Sequence, residues 1–308
     1  MTSLHDDELM IDVPLVRALV DRDLPGCDSL PLRPLAASGS TNALFRLGDD
    51  LLVRLPRQPG GSAAIAKEAR WLPVLAPLLP VPVPEVVAVG APGLGYPEAW
   101  SVVRWLAGEV PAVVGDAPGC RTDGLAEDLA GVVLALRQAE VPPDALSDPH
   151  LLSYRGDPLE AMDEQTRRDI EACRTLDGLD LDLDAALDVW EQAMALPAAE
   201  PAPVRWYHGD LLAENLLVRD GRLSAVLDFG GLAVGDPAVD LMVAWEVLDA
   251  GSREVLRRAV GVDDHTWLRG QAWTLCVALM TFPYYWRTMP ERCAARLAMA
   301  RAVLADAG

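Results

Sequence analysis

Hydrophobic periodicity changes character once along this chain, and that change limits the fold. Leu9, Val13, Val16 and Val20 recur at helical spacing, so residues 8–22 predict an amphipathic helix. Short strand-like runs follow, LPLRPLAA, NALFRLG and LLVRLP, the last two joined by a Gly48-Asp49-Asp50 turn. Ser62 opens a helix over SAAIAKEARWLPVLAPLL, which Pro73 is expected to kink or end. A proline-rich connector, LPVPVPEVV, leads to a strand, AWSVVRWL makes another, and LAGEVP reads as a hinge or linker. Beyond it helical patterns dominate, over 122–140, 158–175, 184–195, 236–250, 252–260 and 264–306, broken by a single β-hairpin at 215–228. Strands first and helices later predict an α+β chain, a sheet-containing lobe followed by a mainly helical one.

Composition removes whole classes of function. A formal net charge of −20 argues against nucleic acid as a partner, because phosphates need a basic surface. Residues 1–109 carry 9 Lys+Arg against 13 Asp+Glu, so most of the acidity lies in the rest of the chain. Five cysteines at 27, 120, 173, 276 and 293, with no CxxC pair, point away from zinc and disulfides and toward a reducing, cytoplasmic setting. No apolar run reaches the ~18 residues of a membrane span. The N-terminal MTSLHDDELM lacks the layout of a secretory signal, so no membrane partner is expected.

The densest polar constellation is WYHGDLLAENLLVRDGRLSAVLDFGG, residues 206–231. Asp220-Gly221 is a strong signal for a two-residue hairpin turn. Unbroken pairing about that turn sets Leu217 opposite Ser224 and Asn215 opposite Val226, with Asp228 diagonal to Asn215. Asp210 enters the same hairpin five residues earlier. Two carboxylates and an amide at one hairpin mouth suit magnesium, which takes one or two protein carboxylates and leaves the rest of its shell to water and phosphates. A carboxylate just off the metal can orient and deprotonate an attacking hydroxyl.

His208-Gly209-Asp210, Asn215, Asp228-Phe229-Gly230 and Gly235-Asp236-Pro237 with Asp240-Leu241 together resemble the aminoglycoside phosphotransferase family of kinase-like enzymes. The likeness runs through the whole chain in coarse organisation and is strongest over 206–241. It implies a two-lobed, protein-kinase-like fold: a nucleotide-binding lobe at 1–103, a hinge at 104–109, and a catalytic and acceptor-binding lobe at 110–308. By the same resemblance Asp210 is the catalytic base, Asn215 and Asp228 are the Mg2+ ligands, and ATP or GTP is the donor. His208 would brace the catalytic loop, and Asp236 would cap the helix that Pro237 begins.

Kinase-like folds hold the α/β-phosphates with a strand lysine paired to a helix glutamate. Here Arg54 stands at the strand position and Glu68 at the helix position; the rival cation is Lys67, the only lysine beside 25 arginines. Ser40, in Ser38-Gly39-Ser40-Thr41-Asn42, lies where a phosphate-covering loop belongs, though an ordinary hairpin turn reads almost as well. Resemblance sets Arg104 and Leu106 as the residues whose backbone faces the base. The acidic run at Asp177, Asp180, Asp182, Asp184, Asp188 and Glu191 is either one wall of a site for a cationic acceptor or a solvated face. Tyr284, Tyr285 and Trp286 either stack on a sugar ring or belong to a core. The favoured function is phosphorylation of a hydroxyl on an aminoglycoside-type antibiotic. A metabolic or macrolide-type kinase of the same fold, and a nucleotide-binding protein without transfer activity, are the alternatives.

Overall fold

The computed structural model of the chain describes residues 7–35, 41–113, 122–151, 155–197 and 204–307. They form two compact units. The first takes the chain up to Pro77, Pro82–Ala107 and the short stretch Leu227–Gly230; the second takes Leu78–Val81, Gly108–Val226 and the chain from Gly231.

The first unit opens with α1 (Val13–Asp23). This helix starts later than periodicity predicts because Asp12 caps it, accepting from the Leu15 N–H at 2.8 Å, and a proline occupies its first turn. Five antiparallel strands follow, β1 (Leu32–Pro34), β2 (Asn42–Leu47), β3 (Leu51–Pro56), β4 (Val86–Gly90) and β5 (Trp100–Arg104), in the order β1-β2-β3-β5-β4. Leu47 faces Leu51 across the predicted Gly48-Asp49-Asp50 turn. Apolar side chains of one face, among them Phe45, Val53, Leu55, Trp100 and Val102, meet Val16, Leu19 and Val20 of α1 in a common core. Gly90 is required there: a Cβ would fall 1.9 Å from the Trp100 ring. Between β3 and β4, α2 (Ser62–Leu75) does not end at Pro73; it runs through it and closes in a 3-10 turn, Ala76–Leu78.

The second unit is mainly helical: α3 (Asp123–Gln138), α4 (Pro143–Leu146), α5 (Asp163–Cys173), α6 (Leu183–Met194), α7 (Val243–Val247), α8 (Ala250–Val260), α9 (Asp264–Tyr285) and α10 (Pro290–Ala307). Helix α9 is buried along most of its length and packs against α5, α6 and α10. Two small sheets interrupt the helices. One is the expected hairpin, β7 (Leu216–Arg219) with β8 (Arg222–Val226); the other pairs β6 (Arg205–Tyr207) with β9 (Ala233–Gly235) and was not expected. Among the described residues no helix is long and apolar enough to cross a membrane.

The hairpin corrects the sequence register. Arg219 faces Arg222 and Val218 faces Leu223, but a shift follows, so Leu217 faces Ala225 and Leu216 faces Val226. Ser224 is the extra residue, a β-bulge that displaces the unbroken pairing by one position. Asn215 therefore does not face Val226, and the diagonal relation to Asp228 drawn from that register does not hold. Asn215 instead ends a 3-10 turn, Ala213–Asn215, and Asp228 leaves extended geometry altogether at φ +53°.

Candidate active site

In the first unit, β3 places Arg54 between Leu44 of β2 and Ser101 of β5, and α2 presents Glu68. Both are buried, at 5 % and 1 % exposure. Arg54 Nη1 donates to Glu68 Oε2 at 2.7 Å, and its Nη2 donates to Asp228 Oδ1 at 3.2 Å. One guanidinium thus spans two carboxylates, each taken by a different nitrogen of its planar fork. Burial opposes the Arg54 charge, but Glu68 and Asp228 outweigh it and raise its pKa. Burial raises Glu68 as well, with the Arg54 charge acting against it. Asp228 adopts the left-handed backbone that aspartate tolerates better than most residues, anchored by the fully buried Phe229 beside it. Its Oδ1 also accepts from the Gly230 N–H at 3.2 Å.

In the second unit, the chain leaves β6 into His208-Gly209-Asp210. Gly209 sits at φ +79°, where a Cβ would lie 2.3 Å from the Gly231 carbonyl oxygen, so glycine is required. Two buried carboxylates suspend this loop. Asp240 accepts the His208 N–H at 2.7 Å and the Gly209 N–H at 2.8 Å. Glu246, fully buried on α7, accepts the Ala213 N–H at 2.6 Å and pairs with Arg296 of α10. His208 is fully buried, and its Nδ1 accepts the Asp210 N–H at 3.2 Å, a brace within the loop.

Asp210 is itself held from two sides. Asn215 Nδ2 donates to its carbonyl at 2.8 Å and to its Oδ2 at 3.0 Å, and Arg155 Nη1 donates to its Oδ1. Burial favours the neutral acid, but the charge and hydrogen bond of Arg155, with the charge of Arg296, outweigh it and hold the carboxyl below its ordinary value.

The oxygen donors fit a hard cation. Asn215 spends its amide nitrogen on Asp210, and no donor to its Oδ1 is found among the described residues. Asp228 spends Oδ1 on Arg54 and Gly230, and its carboxylate is 35 % exposed. Among the described residues no group of three or more His, Cys, Asp or Glu can hold a metal ion. Taken each by itself, either oxygen suits a cation that brings the rest of its shell with it, as magnesium does with nucleotide phosphates.

The remaining expected residues fare unevenly. Asp236 caps the turn that Pro237 begins, accepting from the Ala238 N–H at 3.0 Å and from Arg269 at 2.8 Å, although that turn is 3-10 and not α-helical. The Arg104 N–H is taken by the Glu85 carbonyl at 3.0 Å, and Leu106 is half-buried. Ser40 lies outside the described residues. In the acidic run, Asp182 caps α6, while Asp180, Asp184 and Glu191 pair with Arg301, Arg174 and Arg167. Those four carboxylates are engaged locally. Trp286 donates to the Asp177 carbonyl at 3.2 Å, Tyr285 is half-buried and Tyr284 is 60 % exposed.

Arg155, Glu246 and Arg296 were not foreseen. Glu246 had one visible sign, a lone acid inside the apolar LMVAWEVL. Arg155 had none: it reaches Asp210 across 55 positions.

An antiparallel five-stranded sheet unit followed by a helical unit carrying a suspended His-Gly-Asp loop defines a kinase-like phosphotransferase. Solved structures share the fold. The GDP and kanamycin complex of APH(2″)-IIIa matches with a TM-score of 0.66 at 20 % identity, covering 95 % of this chain and 97 % of that one. The ADP-bound aminoglycoside phosphotransferase APH(2″)-Ib matches at 0.60 and 17 % identity, covering 96 % and 99 %. The apoenzyme of macrolide 2′-phosphotransferase MphH from Brachybacterium faecium matches at 0.60 and 24 % identity, covering 95 % and 97 %. Comparison with curated proteins finds no match. The profile of the APH phosphotransferase enzyme family matches residues 32–273, and the chain belongs to that family.

Proposed function

We propose that this phosphotransferase moves the terminal phosphoryl group of ATP or GTP onto a hydroxyl of a small, cationic acceptor of the aminoglycoside type, with Asp210 as catalytic base. The observation that carries the reading is the fixing of Asp210, whose carboxylate is held by Asn215 and Arg155 yet remains 30 % exposed. A carboxylate has about four lone-pair positions, so two bound donors leave room for an acceptor hydroxyl. As the acceptor oxygen bonds to phosphorus, the bond from phosphorus to the bridging oxygen of the donor breaks, and the hydroxyl proton passes to Asp210. In a loose transition state the proton moves late, so orienting the hydroxyl matters more than high basicity. Arg54, kept charged by Glu68, would meet the α/β-phosphates, and the backbone at Arg104 and Leu106 would meet the base. By the family resemblance Asn215 and Asp228 are each proposed as a magnesium ligand, and magnesium when bound would neutralise charge on the transferring group.

The aminoglycoside class is supported by the kanamycin in one neighbour and by the acidity of the chain beyond residue 109. The macrolide enzyme among the neighbours supports a second reading, a macrolide acceptor. A nucleotide-turnover screen over aminoglycosides, macrolides, sugars and amino alcohols, with ATP and GTP compared, decides between them. In the same assay Asp210→Asn is expected to cut turnover by ~10²-fold or more, with nucleotide affinity changed only a few-fold. Near-normal turnover of that variant removes Asp210 from its role.

A further inference from the structure

We propose that Arg155 is a positioning residue for the phosphoryl transfer, fixing the orientation of the Asp210 carboxylate; the inference rests on the reading of Asp210 as the base. One nitrogen, Nη1, donates both to the Gly209 carbonyl at 2.9 Å and to Asp210 Oδ1. It therefore ties the side chain of the base to the backbone of its own loop. Asn215 holds the opposite oxygen at 3.0 Å, so rotation about the bond to the carboxylate is blocked from both sides. The lone pairs left open have one direction to face.

Arg155 is itself fixed by the fold. Its carbonyl accepts the hydroxyl of Tyr207, a fully buried side chain of β6. The next residue, Gly156, has φ +87°, and a Cβ there would lie 2.3 Å from Tyr207 Cζ. The Gly156 carbonyl accepts the Asp236 N–H at 3.0 Å. Residues 155 and 156 are thus pinned against the β6–β9 sheet, and the side chain of Arg155 reaches Asp210 from a rigid base. With Arg155 at 18 % exposure and Asp210 at 30 %, the pair is partly shielded from water, where a charged hydrogen bond holds geometry better than at an open surface. An arginine does not give up its proton in a protein, so Arg155 orients the base without competing for the hydroxyl proton.

The test is a double-mutant cycle on the full chain, read by phosphoryl transfer to the acceptor with highest turnover and by the slow hydrolysis of ATP or GTP, in which water replaces that acceptor. Arg155→Met is expected to lower kcat by about 10- to 100-fold, the scale of misplacing a reacting group by ~1 Å. The KM for nucleotide should stay within a few-fold, and the unfolding temperature close to wild type. Arg155→Lys should recover part of kcat, and millimolar guanidinium should recover part of it in Arg155→Ala. In an Asp210→Asn background, adding Arg155→Met should change kcat less than twofold. An equal loss in both backgrounds overturns the proposal, because Arg155 would then act elsewhere, on the phosphates for instance. Wild-type kcat in Arg155→Met overturns it too. Wild-type turnover in Asp210→Asn alone defeats the base assignment instead, a distinct result. Should Arg155→Met fail to fold, Arg155→Lys carries the same cycle.

Discussion

Replacing Arg54 separates what its two carboxylate partners demand. Glu68 is 1 % exposed, whereas the Asp228 carboxylate is 35 % exposed and can rely on water. Arg54→Met leaves the Glu68 charge buried without this cation, a cost of ~3–5 kcal/mol, while the loss at Asp228 is small. Arg54→Lys keeps a charge but offers one shorter-reaching nitrogen where Arg54 uses two, so it should lose or lengthen one charge-assisted bond, ~1.5–3 kcal/mol. Hydrogen exchange read by mass spectrometry reports this locally, in peptides covering β2, β3 and residues 227–230. At ~1.4 kcal/mol per tenfold, Arg54→Met should speed globally protected amides there by ~10²- to 4 × 10³-fold, and Arg54→Lys by ~10- to 10²-fold. Adding Glu68→Gln to Arg54→Met should restore most of the protection, since a neutral amide needs no cation. The deficit of Arg54→Met should also shrink as pH falls from 8 to 5. Burial already pushes the Glu68 carboxyl up, and once protonated it no longer carries the unpaired charge. Unchanged exchange in Arg54→Met, or no rescue by Glu68→Gln, would refute the reasoning.

Asp228→Ala should abolish the magnesium-dependent part of nucleotide binding by calorimetry, and with a chelator present the variant should bind nucleotide at least as tightly as wild type, because Arg54 is then released from one of its two acids. Asp249 caps α8 and accepts from the N–H and hydroxyl of Thr122; burial opposes its ionisation, but bonds from Ser252 and Thr122 bring its pKa to about 2. Against ~3.9 in the unfolded chain, that depression contributes ~2.6 kcal/mol, complete above pH ~4 and lost as pH falls through about 2. Asp249→Asn should therefore lower neutral-pH stability by about that amount and flatten the acid limb of a denaturation series. With a cationic acceptor the apparent KM should rise between 50 and 300 mM salt at saturating nucleotide while kcat changes less, since screening acts over about 8 Å; a flat series speaks for a neutral acceptor.

Most of the fold was legible because its signals are local. Periodicity, the Gly48-Asp49-Asp50 and Asp220-Gly221 turns and the cap at Asp236 each act within a few residues of where they are written. What escaped depends on tertiary partners. The bulge at Ser224 has no signature of its own, and it shifted the register on which the hairpin geometry was drawn. Strands β6 and β9 have three residues each, too few for any period to show, and they pair across more than twenty positions. The buried Glu246–Arg296 pair and the contact from Arg155 to Asp210 join elements that the sequence separates by 50 and 55 residues.

The arginine in the strand position is where the two levels meet. With 25 arginines to one lysine, Arg54 alone could be read as compositional drift. In the structure the guanidinium spans Glu68 and Asp228 at once, a double contact a lysine ammonium is poorly shaped to make. The substitution therefore changes the chemistry of the position: it ties the helix glutamate to the segment Leu227–Gly230 within one unit. If phosphates are to be bound there, they must compete for a cation already shared by two acids, and nucleotide affinity should depend on Asp228 through Arg54 as well as through any metal.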